Sequence, residues 1–260
     1  MEIMLTIKIL ALGVLQGIAE ILPVSSSGHL VLVKHILGVD SPGMALEIAL
    51  HTGTLAAILL YYRRTIAGLV AGFLKGEAES RRMVGLLIVG TIPAGLIGIG
   101  FKHRIDAMAE SPALVAGALI VTGLLLLSLR FATRRTRTLG LPAALITGIA
   151  QAVAIAPAIS RSGATIVAAR HLGISPVAAA EFSFLLSIPA IAGATLVEVL
   201  DGSMASMTAI PLPLVCAGAC VAGVTGYFAL TGLVRLLRTD HLWWFGFYCA
   251  AVGGLALLLG

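Results

Sequence analysis

The sequence predicts an all-α polytopic membrane protein with an inverted-topology repeat, each half a re-entrant helical hairpin followed by three transmembrane helices. Three observations carry this expectation. Hydrophobic residues make up 59% of the 260, charged residues only 11%, and mean hydropathy is +1.06, a balance outside that of water-soluble domains. The basic residues fall in short runs between apolar stretches, the pattern of positive-inside loops. Motifs of the first half return in the second, and the number of crossings between them is odd.

The elements follow in order. Residues 3–21 read as a helix in which Gln16 and Glu20, four apart, share one face, while Gly13 and Gly17 line a nearby face suited to a close helix neighbour. Pro23 ends it, and Ser25, Ser26 and Ser27 are capping candidates for a second helix from Gly28 to Leu37. At about 15 Å that second helix is half of a hydrocarbon core of roughly 30 Å, so the pair reads as a re-entrant hairpin. Residues 43–62 form the next span, with Tyr61 and Tyr62 as an interfacial belt and Arg63 and Arg64 as its stop. A polar loop to Arg82, spans at 83–101 and 112–129, and a basic linker from Phe131 to Gly140 complete the half.

The second half repeats the first. ITGIAQ (146–151) echoes LQGIAE (15–20), and SRSGATIVAARHLGIS (160–175) echoes SSSGHLVLVKHILGVD (25–40). Ser41, Pro42 and Glu47 match Ser175, Pro176 and Glu181 at a constant offset of 134 residues. Spans at 177–200, 212–234 and 242–260 follow, with Trp243, Trp244 and Tyr248 as a belt, so a single membrane domain of residues 1–260 divides into halves 1–131 and 141–260. With the loops at 63–82, 130–140 and 235–240 inside, twelve of the seventeen Lys and Arg residues lie on the cytoplasmic side and four on the other, Arg161 standing in the second break. Both termini are then expected outside, and the two hairpin tips should meet at the midplane, where inverted repeats place their sites.

Composition also excludes functions. Loop placement accounts for the net charge of +5, so no nucleic-acid partner is expected. Cys216, Cys220 and Cys249 are odd in number and lie in apolar spans, which argues packing residues and neither disulfides nor zinc. The first twenty residues lack a basic start and a cleavage site, so the segment is expected to be retained.

The chemistry concentrates in the breaks. Arg161, in APAISRSGAT (156–165), is a guanidinium at membrane depth, which costs on the order of 2.5 kcal/mol or more unless it meets an anion. Its fork suits a phosphate, and an ion pair with Glu20 joining the two tips is the alternative. Short helices beginning at depth aim unpaired N–H groups and positive dipole ends at the break, again favouring an anion. Carboxylate and amide oxygens of Glu20 and Gln16 suit Mg²⁺ or Ca²⁺, and a hydrogen-bonded structural pair is the bland reading. His29, beside these groups, is a candidate for acid–base or nucleophilic work, and His51 in the third helix a weaker one. Glu47 and Glu181 read as hairpin braces; Lys34, His35, Arg170 and His171 read as interfacial.

These motifs, with EFSFLLSIPA (181–190), make the whole chain resemble the undecaprenyl-diphosphate phosphatase family of bacitracin-resistance proteins in bacterial envelopes. The family's paired acidic positions fall on Gln16 and Glu20, its Ser and His on Ser26 and His29, and its second motif on Ser160, Arg161 and Thr165. Ala158 stands where the family usually has glycine. The resemblance implies hydrolysis of a long isoprenyl diphosphate lipid to the monophosphate with Mg²⁺ or Ca²⁺, recycling the carrier of peptidoglycan synthesis in the plasma membrane. Glu20, Ser26, His29 and Arg161 are then the catalytic candidates, and Gln16 with Glu20 the metal ligands. Ser25, Ser27, Ser160, Ser162, Gly163 and Thr165 are the substrate-binding candidates, with helix capping as the alternative for most of the serines. Either Ser26 attacks phosphorus with His29 assisting, or His29 attacks or activates water. Membrane lipids are the expected surroundings, and a homodimer is compatible with this reading. A flippase for an isoprenyl phosphate is the principal rival, since broken helices in inverted repeats also build transporters. An intramembrane serine protease leaves Arg161 and Glu20 without a role.

Overall fold

The computed structural model describes residues 2–39, 45–101, 111–132, 137–201, 210–239 and 241–259. Eleven α-helices run through them: α1 (Glu2–Ile21), α2 (Ser26–Leu37), α3 (Ala45–Tyr61), α4 (Arg63–Lys75), α5 (Ala78–Gly100), α6 (Pro112–Leu127), α7 (Leu141–Val153), α8 (Arg161–His171), α9 (Pro176–Leu200), α10 (Leu212–Leu237) and α11 (Trp244–Leu259). A 3₁₀ turn, Ser128–Phe131, extends α6. No strand occurs among the described residues. Among the described residues five helices, α1, α5, α6 with its 3₁₀ turn, α9 and α10, are long and apolar enough to cross a membrane. The pair α3 with α4, bent by 69°, meets the same measure only as a pair, and α11, expected to span, is shorter. The protein is therefore a multi-pass, all-helical membrane protein.

Local chemistry sets the breaks. Pro23 cannot continue a helix, so α1 ends at Ile21 and a short turn follows. Ser25 caps α2 by accepting from Gly28 N at 3.2 Å, and Ser160 caps α8 by accepting from Gly163 N at 3.1 Å. At the far ends, Gly38 (φ 58°) and Gly173 (φ 87°) take the left-handed conformation open to glycine. The next residue then folds back in each case, Val39 N onto Lys34 O at 3.0 Å and Ile174 N onto Ala169 O at 3.1 Å. The two echoed motifs thus cap and end their short helices in the same way.

Packing is reciprocal between the halves. The hairpin legs α1 and α2 pack on each other, as do α7 and α8, while α1 lies against α10 of the second half and α7 against α5 of the first. Small residues permit both crossings, as expected of Gly13 and Gly17. A Cβ on Gly17 would lie 2.6 Å from Ala222 O, and one on its repeat partner Gly148 would lie 2.4 Å from Gly90 O. One difference separates the hairpins: α1, with 20 residues or about 30 Å, is long enough to span, whereas α7 has 13. The largest core cluster draws on both halves, with Ile21, Ile58, Ile166, Phe184 and Leu230 essentially sealed from solvent.

Two expectations need correction. Residues 63–82 are not a polar loop: α4 occupies Arg63–Lys75 and α5 starts at Ala78. Its apolar residues Val70, Phe73 and Leu74 are exposed among the basic ones, an amphipathic pattern too short and mixed to register as a span. Tyr62 is not a belt residue either, being 7% exposed and stacked on Phe184 at 6.3 Å between ring centroids. The positions 40–44 and 133–136, including Ser41, Pro42, Arg134 and Arg135, lie outside the described residues.

Candidate active site at the hairpin junction

The two tips meet, joined by hydrogen bonds across the halves. Ala158 N donates to Ser27 Oγ at 3.2 Å, and Ser162 Oγ donates to Leu22 O at 3.4 Å. Thr122, a lone hydroxyl in α6, braces the second tip from behind: it accepts from Ser160 N at 3.0 Å and donates to Ala158 O at 3.4 Å. Thr165 turns inward, bonded to Arg161 O at 2.8 Å and to Ser183 at 2.6 Å. Hence Ser25, Ser27, Ser160, Ser162 and Thr165, expected around the substrate, all carry bonds that fix the tips. Gly163 fits under the same construction, because a Cβ there would approach Ser160 Oγ to 3.0 Å.

Glu20 is the hub. Its Oε1 accepts from Arg161 Nη2 at 2.6 Å, while Oε2 accepts from Ser26 Oγ at 2.5 Å and from Gln16 Nε2 at 3.2 Å. His51 Nε2 lies 3.4 Å from the same Oε2, with Nδ1 donating to the Glu47 carbonyl at 2.8 Å. Gln16 and Glu20 share a face of α1 as their spacing requires, and both are buried. The ion pair weighed for Arg161 is therefore present. It leaves Nη1 buried without a hydrogen-bond partner among the described residues, and Gln16 Oε1 is left likewise. Such atoms cost about 1–3 kcal/mol each unless a ligand or water satisfies them.

His29 is held differently. A carbonyl only accepts, so the 2.8 Å contact between Nδ1 and Ser25 O places a hydrogen on Nδ1. Nε2 lies 2.8 Å from Tyr248 Oη, and the rings are stacked at 5.5 Å with a 7° interplanar angle. The nearest polar partner of Ser26 is accordingly Glu20, with no bond from Ser26 to His29 among the described residues.

Sequence reasoning assigned Tyr248 to an interfacial belt, but the structure gives its hydroxyl to His29; neither residue type nor position signals a partner 219 residues away. His51 ranked below His29, yet it is His51 that touches Glu20. Arg170, read as interfacial, is 4% exposed, with Nη1 donating to Ile174 O at 2.9 Å. Glu47 does brace the hairpin, through an ion pair with Lys34 of α2. Gln151, the repeat counterpart of Glu20, is buried with both amide atoms unpartnered among the described residues.

Comparison with known proteins finds relatives along nearly the whole chain. The family model described as "Bacitracin resistance protein BacA" matches residues 9–255. Among curated relatives, an undecaprenyl-diphosphatase of Desulfatibacillum aliphaticivorans is 43% identical, the alignment covering 97% of this chain and 98% of the relative. An undecaprenyl-diphosphatase of Rhodopirellula baltica is 42% identical over 97% of each chain, and one of Syntrophotalea carbinolica is 40% identical over 94% and 95%.

The chain belongs to the BacA family. Ala158, set by the resemblance against a glycine, has φ 64°, and Ser25 in the other tip has φ 73°. Non-glycine residues in this region store on the order of 1–3 kcal/mol, held here by the bonds joining the tips. The BacA site also fits a hard divalent cation. Gln16 Oε1 is a free buried oxygen beside a carboxylate and a hydroxyl, all of them oxygen donors of the kind that Mg²⁺ and Ca²⁺ prefer. No group of three or more His, Cys, Asp or Glu ligands occurs among the described residues.

Proposed function

We propose that this chain hydrolyses undecaprenyl diphosphate to undecaprenyl phosphate and inorganic phosphate, recycling the carrier lipid for peptidoglycan synthesis and so conferring bacitracin resistance. The observation that carries this reading is the convergence on Glu20 of a hydroxyl, a guanidinium and an amide at the junction of two capped helix N-termini. A transporter must bind its cargo reversibly and gains nothing from a hydroxyl hydrogen-bonded to a carboxylate beside a half-free guanidinium.

In the reaction, Ser26 Oγ attacks the terminal phosphorus as its proton passes along the 2.5 Å hydrogen bond to Glu20 Oε2. The bond from that phosphorus to the bridging oxygen breaks, and the lipid monophosphate leaves with the bridging oxygen. Water then cleaves the phosphoserine, giving up a proton to His29, the remaining acid–base group of the first tip, while Ser26 Oγ recovers its proton from Glu20, so that phosphate is released and the serine restored. Arg161 stabilises charge on the transferred phosphoryl group through Nη1, the arm that Glu20 leaves free, aided by backbone N–H groups at the start of α2 and α8. A Mg²⁺ or Ca²⁺ ion on Gln16 and Glu20 would supply further neutralisation of phosphoryl oxygens. Detergent-solubilised protein, with no membrane or gradient, should release phosphate from farnesyl or longer isoprenyl diphosphates when Mg²⁺ or Ca²⁺ is present and stop on chelation. Lipid movement in vesicles without phosphate release would overturn hydrolysis in favour of transport.

The protein sits in the plasma membrane with both termini outside the cytoplasm, on the strength of the loop charges. In a background lacking Cys216, Cys220 and Cys249, Ala78→Cys and Thr136→Cys should label only from inside and Ala205→Cys only from outside. Labelling of Ala78→Cys and Ala205→Cys from one side would refute the inverted arrangement.

A further inference from the structure

We propose that Tyr248, on the last helix, is a positioning residue that sets the tautomer and ring orientation of His29. The inference rests on the phosphatase reading for its catalytic consequence, but its structural content stands apart from it. Two independent contacts seat α11 on the first hairpin tip: Tyr248 Oη on His29 Nε2 at 2.8 Å, and Cys249 Sγ on Val24 O at 3.8 Å. The chain's last helix thus completes a site begun by its first two.

The hydrogen-bond logic defines the role. Ser25 O can only accept, so it holds the hydrogen of neutral His29 on Nδ1 and leaves Nε2 as the sole basic atom of the ring. Tyr248 then donates its O–H to Nε2. If Nε2 takes up a proton, the Tyr248 hydroxyl need only rotate to accept from the new N–H, so one rotor serves both states of the ring. Parallel stacking of the two rings fixes the imidazole plane in either state. His29 itself is 5% exposed, whereas Tyr248 is 48% exposed, so the phenol links a buried imidazole to the surroundings of the helix bundle. Strain at Ser25, whose φ is 73°, serves the same arrangement, because that residue supplies the carbonyl that holds Nδ1.

Tyr248→Phe keeps the ring, its stacking and most of its volume, and removes only the hydroxyl. The expected result is a fall in kcat of roughly tenfold with KM within about twofold. In ¹⁵N-histidine-labelled protein, the His29 Nε2 resonance should move toward the position of an acceptor without a donor, while the other histidine signals stay in place. In a His29→Ala background the same substitution should cost nothing further, since a residue acting through His29 has nothing left to act on. Wild-type kcat with an unmoved Nε2 resonance would overturn the proposal, as would an equal loss in both backgrounds or a change confined to KM. A wild-type protein that releases no phosphate would defeat the phosphatase reading alone, and the Nε2 resonance would still decide the role of Tyr248.

Discussion

Glu20→Gln is expected to lower phosphate release by roughly 10² or more. The substitution preserves side-chain size, so the loss reports charge and acceptor capacity. As a carboxylate, Glu20 accepts from Arg161, Ser26 and Gln16 at once and lies 3.4 Å from His51 Nε2. An amide offers one oxygen in place of two and turns an NH₂ group toward one pair of donors. Ser26 then loses its proton acceptor, Arg161 keeps a charge without a counter-ion, and a divalent cation loses its only carboxylate. Stability should fall as well, because breaking a buried ion pair at one end costs about 3–5 kcal/mol, so thermal unfolding in detergent belongs beside the activity measurement. Glu20→Asp separates the effects, since it restores the charge but retracts the carboxylate, and should regain stability before turnover. Wild-type turnover in Glu20→Gln would remove Glu20 from the chemistry and leave it as a brace between the hairpins.

Arg161→Lys is expected to abolish most activity while the protein still inserts and purifies normally. Lysine retains the charge, so Glu20 stays paired and the tips stay joined. What disappears is the fork: in the wild type Nη2 is engaged by Glu20 while Nη1 remains available, and an ammonium on a flexible stem cannot reproduce two directed donors in one plane. A loss on the order of 10² in kcat, with unchanged unfolding temperature, would mark the transition-state contact. Arg170 is unsuitable as a control because it is buried, so the exposed Arg235 in α10 serves, and Arg235→Lys should change little. Equal activity in the two variants would mean that Arg161 only joins the hairpins.

The sequence by itself determined whatever depends on near neighbours along the chain. Apolar runs and their basic flanks gave the membrane class; Pro23 and the serines gave the breaks; the echoed motifs gave two matching segments; the shared face of Gln16 and Glu20 followed from a four-residue spacing. Even the meeting of Glu20 and Arg161 was legible, because two polar breaks at depth must satisfy each other or a ligand. Tertiary structure alone decided which distant side chains complete that meeting. His51 reaches Glu20, Tyr248 reaches His29 and Thr122 braces the second tip, yet each stands in a mostly apolar helix, with a local pattern that does not name a distant partner. Likewise the 69° bend between α3 and α4 and the burial of Arg170 are visible only in the folded chain. Helical periodicity fixes the face on which a side chain lies, but the partner of that face is set by close approaches such as Gly17 on α10 and Gly148 on α5, which only the assembled bundle selects.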